Sequence, residues 1–484
     1  MQIDNTVTVE EAVQALAMVG DLSMGQPTDG SIRAARLAAR LAAADGATPE
    51  ACCHARLVAL LRWSGCTANA SGFATLLGDD VGGREAMLAH TLPAGHPLTV
   101  TSVTPLARIH CEVSGDIARL LGLPAEVETG LRHVWEHYDG NGLPERLRGP
   151  AIPVVVFTTS LAGDLEILAR THGLDEALRM IAGMADRKYP APLVHVLTDQ
   201  ARAWLDELDQ PAQVPADAVL TRRVPLSIVA DMIELKLPWL TGYSRRVAEL
   251  AETAAALADL PPAQQQCLGR AALIHGIGRA AVPNTVWERD GRLGAADWEK
   301  IRLVPYWTAR AGAQIPALRA EAALASHAYE RLDGSGYFRN VDADGLGQPQ
   351  RLLAAACAYV ALCMPRPWRP AYPPDEAARV LAEQVGAFDA DAIRNVIGAA
   401  GVPAAGVPAA GVPAPAAPPR KSLLSDREIE VLRRISLGES NKEAARILQI
   451  SPSTVRTHVE SIFRKLACST RAAATLKALN LGLI

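Results

Sequence analysis

Near the C-terminal end, Ser453, Arg456, Thr457, Glu460, Ser461 and Arg464 fall three or four residues apart, with Thr457 beside Arg456 and Ser461 beside Glu460. At that spacing their hydroxyl, guanidinium and carboxylate groups lie along one face of an α-helix. These are the groups that hydrogen-bond to the edges of base pairs: arginine to guanine, hydroxyls to several bases, a carboxylate to cytosine N4. Val455, Val459, Ile462, Phe463 and Leu466 fall on the opposite face and are apolar. A helix with one side made for a core and the other carrying short polar and basic groups fits a DNA major groove. Glu460 is the discordant member, because a carboxylate also repels phosphate.

The elements that must position this helix are legible in the same stretch. Ser425 is followed three residues later by Glu428, and Ser440 by Glu443, the capping-box spacing that starts a helix. Ser451-Pro452 places a capping hydroxyl before a proline at the first helical position, where the missing N–H costs nothing. Residues 421–484 contain eleven Lys/Arg and six Asp/Glu, a formal +5, which leaves −9 for the rest of a chain whose total is −4. A basic module on an acidic body is expected where one end meets phosphate.

From Leu424 to Leu466 the letters LSDREIEVLRRISLGESNKEAARILQISPSTVRTHVESIFRKL resemble the LuxR/FixJ-type DNA-binding domain. The resemblance continues to Arg471 and Ala473 without gaps. It implies a four-helix domain whose third helix reads bases. Carried over by position, Arg456, Thr457 and Glu460 face base edges, with Ser453 on the same surface. Ser451, Thr454, His458 and Lys465 approach phosphates, and Lys442 and Arg464 are supporting charges.

The remaining residues predict a mostly helical body. At 484 residues the chain is too long for one core. Aromatics are only 4% and alternating strand-like runs are scarce. Eight scattered cysteines without CxxC spacing, and an N-terminus without a basic start and apolar stretch, predict a reducing, cytoplasmic setting. Apolar runs such as 352–364 reach about 13 residues, short of the roughly 20 that span a bilayer. Between 400 and 420 the sequence turns to repeated GVPAA units, which bury nothing and read as an extended tether.

Two segments of the body echo each other. His137-Tyr138-Asp139-Gly140-Asn141-Gly142 recurs as Arg331-Leu332-Asp333-Gly334-Ser335-Gly336, and each follows a similar helical stretch, ALLRWSG from Ala59 and ALIHGIG from Ala272. This predicts tandem helical units. The second, through AALIHGIGRAAVPN, GRLGAADWEKI, YERLDGSGY and MPRPWRPAYPPDEAA, resembles the HD-GYP branch of the HD-domain metal-dependent phosphohydrolases; the first resembles the same fold more loosely. That chemistry implies two or three divalent cations held by His and Asp. By register, however, the ligand positions fall on Tyr243, His275-Gly276, Val304-Pro305, Ala328-Tyr329 and Cys357, with Arg279 in place of a Lys and His327 one position out of step. In the first unit, Arg62-Trp63 and Val134-Trp135 occupy the corresponding places, and Asp164 marks the closing carboxylate. His54, His110, His133 and His137 read as ordinary histidines.

The sequence thus predicts an all-α chain: degenerate HD-like units at 1–212 and 213–399, a linker at 400–420, and a helix-turn-helix domain at 421–484. It predicts a DNA-binding transcription regulator and not an enzyme, with silent HD-like units as a regulatory or dimerising body. No metal site and no cofactor are expected. Expected partners are double-stranded DNA with inverted half-sites, a second copy of the chain, and a small-molecule or nucleotide effector, without a membrane. The competing readings are a metal-dependent phosphohydrolase or cyclic-dinucleotide phosphodiesterase, and a nucleotide sensor that does not hydrolyse its ligand.

Overall fold

A computed structural model describes residues 4–208, 218–339, 341–402 and 423–484. The expected boundary at 212/213 and nearly all of the expected linker lie outside them. Among the described residues the chain is all-α apart from two three-residue strands, β1 (Thr6–Thr8) and β2 (Arg223–Pro225), which pair. It divides into two compact units: residues 7–224 with 283–285, and the remainder.

In the first unit, α1 (Val9–Ser23) starts from a capping box in which the Thr8 hydroxyl accepts from Glu11 N and the Glu11 carboxylate accepts from Thr8 N. Then come α2 (Gly30–Ala44), α3 (Pro49–Leu61), α4 (Val100–Leu120), α5 (Ala125–Arg132) and α6 (Val154–His172). α3 packs on α1, α2 and α6, and α4 on α5. Small residues keep the layers close: Ala34, Ala35 and Ala38 of α2 are buried beside Leu37 and Leu41.

The second unit repeats this plan with α7 (Ser227–Glu234), α8 (Tyr243–Leu257), α9 (Pro262–Ile274), α10 (Val304–Gly312), α11 (Arg319–Ala325), α12 (Gln348–Cys363) and α13 (Ala390–Ala399). Its centre is α8, which packs on α9, α12 and α13. Two backbone donors at the start of α8, Gly242 N and Ser244 N, are met by the buried Glu234 carboxylate at 2.7 and 2.6 Å. That contact fixes the first turn of α8 and the place of Tyr243.

The tandem repeat extends to individual glycines. A Cβ on Gly65 would stand 2.3 Å from the His110 carbonyl oxygen, and one on Gly278 would stand 2.0 Å from that of Val304. Both Asp-Gly-x-Gly segments are turns closed by their aspartate: Asp139 accepts from Asn141 N and Asp333 from Ser335 N, each at 2.9 Å.

Among the described residues the C-terminal module has four helices, α14 (Asp426–Ser436), α15 (Asn441–Leu448), α16 (Pro452–Lys465) and α17 (Arg471–Asn480). The first three start at Ser425, Ser440 and Ser451, whose side chains accept from the backbone of Glu428, Glu443 and Thr454. Val431, Leu432, Ile435, Val455, Val459, Ile462 and Leu466 form its core. α17 packs against α14 and also against α7.

Candidate nucleic-acid interface and central cleft

α16 shows the division its sequence implies. Val455, Val459, Ile462 and Leu466 are buried and Phe463 is half-buried, whereas Ser453, Thr454, Arg456, Thr457, Glu460, Arg464 and Lys465 are exposed. Lys442 on α15 and Ser451 at the cap are also exposed, and His458 is half-buried. Burying an aliphatic side chain is worth roughly 1.5–3 kcal/mol, more than an exposed ion pair, so the core and not the surface charges sets which face turns outward.

Several of these side chains are engaged within the module. Lys465 Nζ donates to Glu428 at 2.7 Å, and Glu428 also accepts from the Ser461 hydroxyl at 2.7 Å. Ser461 thus belongs to the seam with α14 rather than to the open face. Arg456 Nε donates to Glu460 at 2.9 Å across one helical turn. The discordant carboxylate therefore has a local partner.

The second unit contains a cavity of about 700 Å³ lined by aromatic rings and guanidinium groups, among them Trp239, Tyr243, Arg279, Trp298, Tyr329, Tyr337, Arg366 and Trp368. Here the structure assembles most positions that the phosphohydrolase resemblance marks. The Tyr243 ring lies 5.5 Å from that of His275, which lies 5.9 Å from that of Tyr329. The Tyr243 hydroxyl donates to the Cys357 carbonyl at 3.0 Å. His327 is not among the lining residues; its ring contacts the Ala323 carbonyl at 2.9 Å.

These groups do not fit the divalent cations that the resemblance implies. His275 is fully buried; its Nδ1 lies 2.6 Å from the Ala272 carbonyl and its Nε2 3.2 Å from Arg279 Nη2. With the proton on Nδ1, the lone pair a metal would need accepts from a guanidinium instead. Burial and the Arg279 charge hold the imidazole down to about 3. Among the described residues no group of three His, Cys, Asp or Glu side chains is placed to hold a metal ion.

In the first unit, a smaller cavity of about 350 Å³ is lined by Arg62, Trp63, Trp135, His137, Asp164 and Lys188, among others. Asp164 accepts from Lys188 Nζ at 2.6 Å and from the Tyr189 hydroxyl. His110 is buried and stacked on Trp135 at 4.9 Å, and His54 is buried as well. Burial, followed by the Lys188 charge, holds His137 down to about 4.

Comparison with known proteins follows this division. Residues 227–392 match the HD domain family, and residues 422–478 match the luxR family of bacterial regulatory proteins. The chain joins an HD domain to a luxR-family domain. Across 295 residues it is 27% identical to a 3'3'-cGAMP-specific phosphodiesterase of Vibrio cholerae, covering 58% of this chain and 64% of that protein. Over 68 residues it is 46% identical to the probable transcriptional regulatory protein NarL of Mycobacterium tuberculosis, covering 14% of this chain and 32% of that one. The chain therefore spans less than two thirds of the length of these curated relatives. A crystal structure of a cyclic GMP-AMP-specific phosphodiesterase of V. cholerae shares the fold with a TM-score of 0.57 at 22% identity, covering 82% of this chain and 98% of that one.

These relatives overturn the expectation that the chain is not an enzyme. The relative aligned with more than half of it is named as a phosphodiesterase, so lost ligand letters do not establish a silent body. A count of ligands by register tests a single donor arrangement, whereas activity depends on every group that meets a substrate.

Sequence reasoning missed the aromatic wall. The chain has eight tryptophans, and Trp239, Trp287, Trp298 and Trp368 all line the HD-domain cavity. They are scattered over 130 positions, so only the fold reveals that half of them converge. The one available signal was their concentration within a chain of 4% aromatics. Among the described residues no helix is long and apolar enough to cross a membrane.

Proposed function

We propose that the chain is a DNA-binding transcription regulator that reads the major groove with α16. Arg456, Thr457, Glu460 and Ser453 address base edges. Ser451, Thr454, His458, Lys442, Arg464 and Lys465 serve the phosphates. One observation carries this reading: an exposed row of hydroxyls and guanidinium groups on a helix whose other face is locked into a core. A single helix contacts few bases, so two copies bind inverted half-sites in the cytoplasm. The HD-like units at 1–212 and 213–399 form the regulatory body and respond to a small-molecule or nucleotide effector.

The test is a binding titration on DNA fragments recovered by genome-wide mapping. Arg456→Ala is expected to weaken binding about tenfold or more and to relax preference at one base pair. Arg464→Ala is expected to lower affinity evenly across sequences and to reduce the salt slope by about one. Unchanged binding in both variants refutes the reading.

A second reading, favoured by the named activity of the V. cholerae relative, is phosphodiesterase action on a cyclic dinucleotide. Its test is metal content of the purified chain and hydrolysis of a cyclic-dinucleotide panel with manganese or iron added.

A further inference from the structure

We propose that the HD-domain cavity holds a flat aromatic phosphate, of the nucleoside monophosphate class, gripped by Arg279 and Arg366 rather than by metal ions. The inference extends the effector reading above but does not depend on DNA recognition.

Arg279 carries an unmet donor. Its Nη2 donates to His275 at 3.2 Å and to the Tyr329 hydroxyl at 2.6 Å, while Nη1 is buried with no hydrogen-bond partner. A buried guanidinium N–H without an acceptor is costly, and a phosphate oxygen removes that cost. The room beside Nη1 has a cause in the sequence. A Cβ on Gly276 would stand 2.9 Å from Nη1. The glycine in the His275-Gly276 pair is thus what gives the guanidinium room. An aspartate there would bring a carboxylate against it.

Arg366 supplies the second charge. The guanidinium carbons of Arg279 and Arg366 lie 4.9 and 5.5 Å from the centre of the Tyr243 ring. Arg366 donates to the Pro365 carbonyl, and among the described residues neither guanidinium meets a carboxylate at ion-pair distance. Two cations sharing one ring in a low-dielectric cleft repel each other, and an anion placed by both reverses that repulsion. Among the described residues no Asp or Glu lines the cavity.

The walls specify the rest of the ligand. Trp239 and Trp368 meet edge to face at 6.0 Å, and Tyr329 and Tyr337 stack at 4.9 Å. Trp368 and Trp298 remain 58% and 41% exposed at this site, which leaves indole surface for a planar ring. A volume of about 700 Å³ accommodates a base, a sugar and a phosphate.

The experiment is calorimetric titration of the full chain in EDTA with GMP, AMP, guanosine and inorganic phosphate, read separately from DNA binding. At least one nucleotide is expected to bind one to one, with guanosine and phosphate each weaker by about tenfold or more. Gly276→Asp and Arg366→Gln are each expected to weaken the nucleotide by about tenfold or more while the melting profile is kept. Arg366, at the partly exposed side, carries the test if Gly276→Asp fails to fold. The proposal is overturned if neither nucleotide binds below about 1 mM. It is equally overturned if binding requires added manganese or iron, or if folded variants bind like the parent. DNA affinity measured in parallel shows separately whether the regulator reading stands.

Discussion

The Thr241 hydroxyl donates to the Ser436 carbonyl oxygen at 2.9 Å, tying the last turn of α14 to the segment between α7 and α8. The same segment contributes Trp239 and Leu240 to the cavity wall, and Tyr243 joins them from the first turn of α8. Close by, Gly438 approaches Pro238 so tightly that a Cβ would stand 3.1 Å from the proline Cβ. The DNA module is therefore docked on the wall of the cavity. That hydrogen bond contributes only about 0.5–1.5 kcal/mol, and the packing of α17 on α7 adds to it. Thr241→Glu places a carboxylate against the Ser436 carbonyl and is expected to release the module. Hydrogen exchange at the α17 amides that face α7 should then accelerate, with the HD-domain amides unchanged. Unaltered protection across 471–480 would refute the docking.

On the reading face, the Arg456–Glu460 pair predicts the effect of neutralising the carboxylate. Both side chains are well exposed, so the pair contributes less than about 1 kcal/mol to stability and its loss leaves the fold intact. Glu460→Gln frees Arg456 and removes a charge that repels phosphate. Affinity for operator DNA is expected to rise about threefold to tenfold at low salt, with weaker discrimination at one base pair. A loss of affinity would show that the carboxylate's contact with a base outweighs its repulsion of phosphate.

Glu428 makes the DNA module sensitive to acid. Burial pushes its pKa up, but the Lys465 ammonium, the Ser425 backbone and hydroxyl and the Ser461 hydroxyl outweigh that and hold it down to about 2. The folded pKa lies below the ordinary 4.5, so its stabilisation is complete above that value and is lost as pH falls from 4.5 towards 2. Glu428→Gln should flatten that part of the unfolding curve and cost about 1–2 kcal/mol at neutral pH. It also frees Lys465, so DNA binding of the folded variant should become more salt-dependent. A parallel acid-unfolding curve for parent and variant would refute this role.

How much could be read in advance differed between the two ends of the chain. The C-terminal module was legible because its signals are local: serine caps, a helical period and an outward polar row all sit within one helix or its first turn. Ser461 escaped that reading because Glu428 is 33 positions away, beyond the reach of periodicity. In the body, the repeat was visible through Gly65, Gly278 and the Asp-Gly turns, where backbone approach and turn geometry demand particular letters. The cleft was not. Trp239, Tyr243, Arg279 and Arg366 come from four separate segments, and no spacing within any one of them announces that they meet. The register of the phosphohydrolase motifs singled out His275 but could not show that its free nitrogen accepts from Arg279.

The repeat makes one further prediction about stability. Gly278 N donates to the buried Thr308 hydroxyl at 3.0 Å, and that hydroxyl donates to the His275 carbonyl at 3.1 Å. The turn after α9 is thereby held against α10 so closely that a Cβ on Gly278 meets the Val304 carbonyl oxygen at 2.0 Å. Backbone cannot give way as a flexible side chain would, so Gly278→Ala must push the turn off α10 and is expected to cost about 2–4 kcal/mol. Gly65→Ala, against the His110 carbonyl at 2.3 Å, should cost a similar amount in the first unit. Thr308→Val removes both hydrogen bonds without the overlap and should cost less, about 1–3 kcal/mol. Because His275 and Arg279 bracket this turn, Gly278→Ala should also disturb the cavity, whereas Gly65→Ala should leave it intact. Thermal unfolding with Trp fluorescence, and nucleotide titration of the folded variants, separate the two effects. Equal losses of ligand binding in Gly65→Ala and Gly278→Ala would show that the cavity does not depend on this turn.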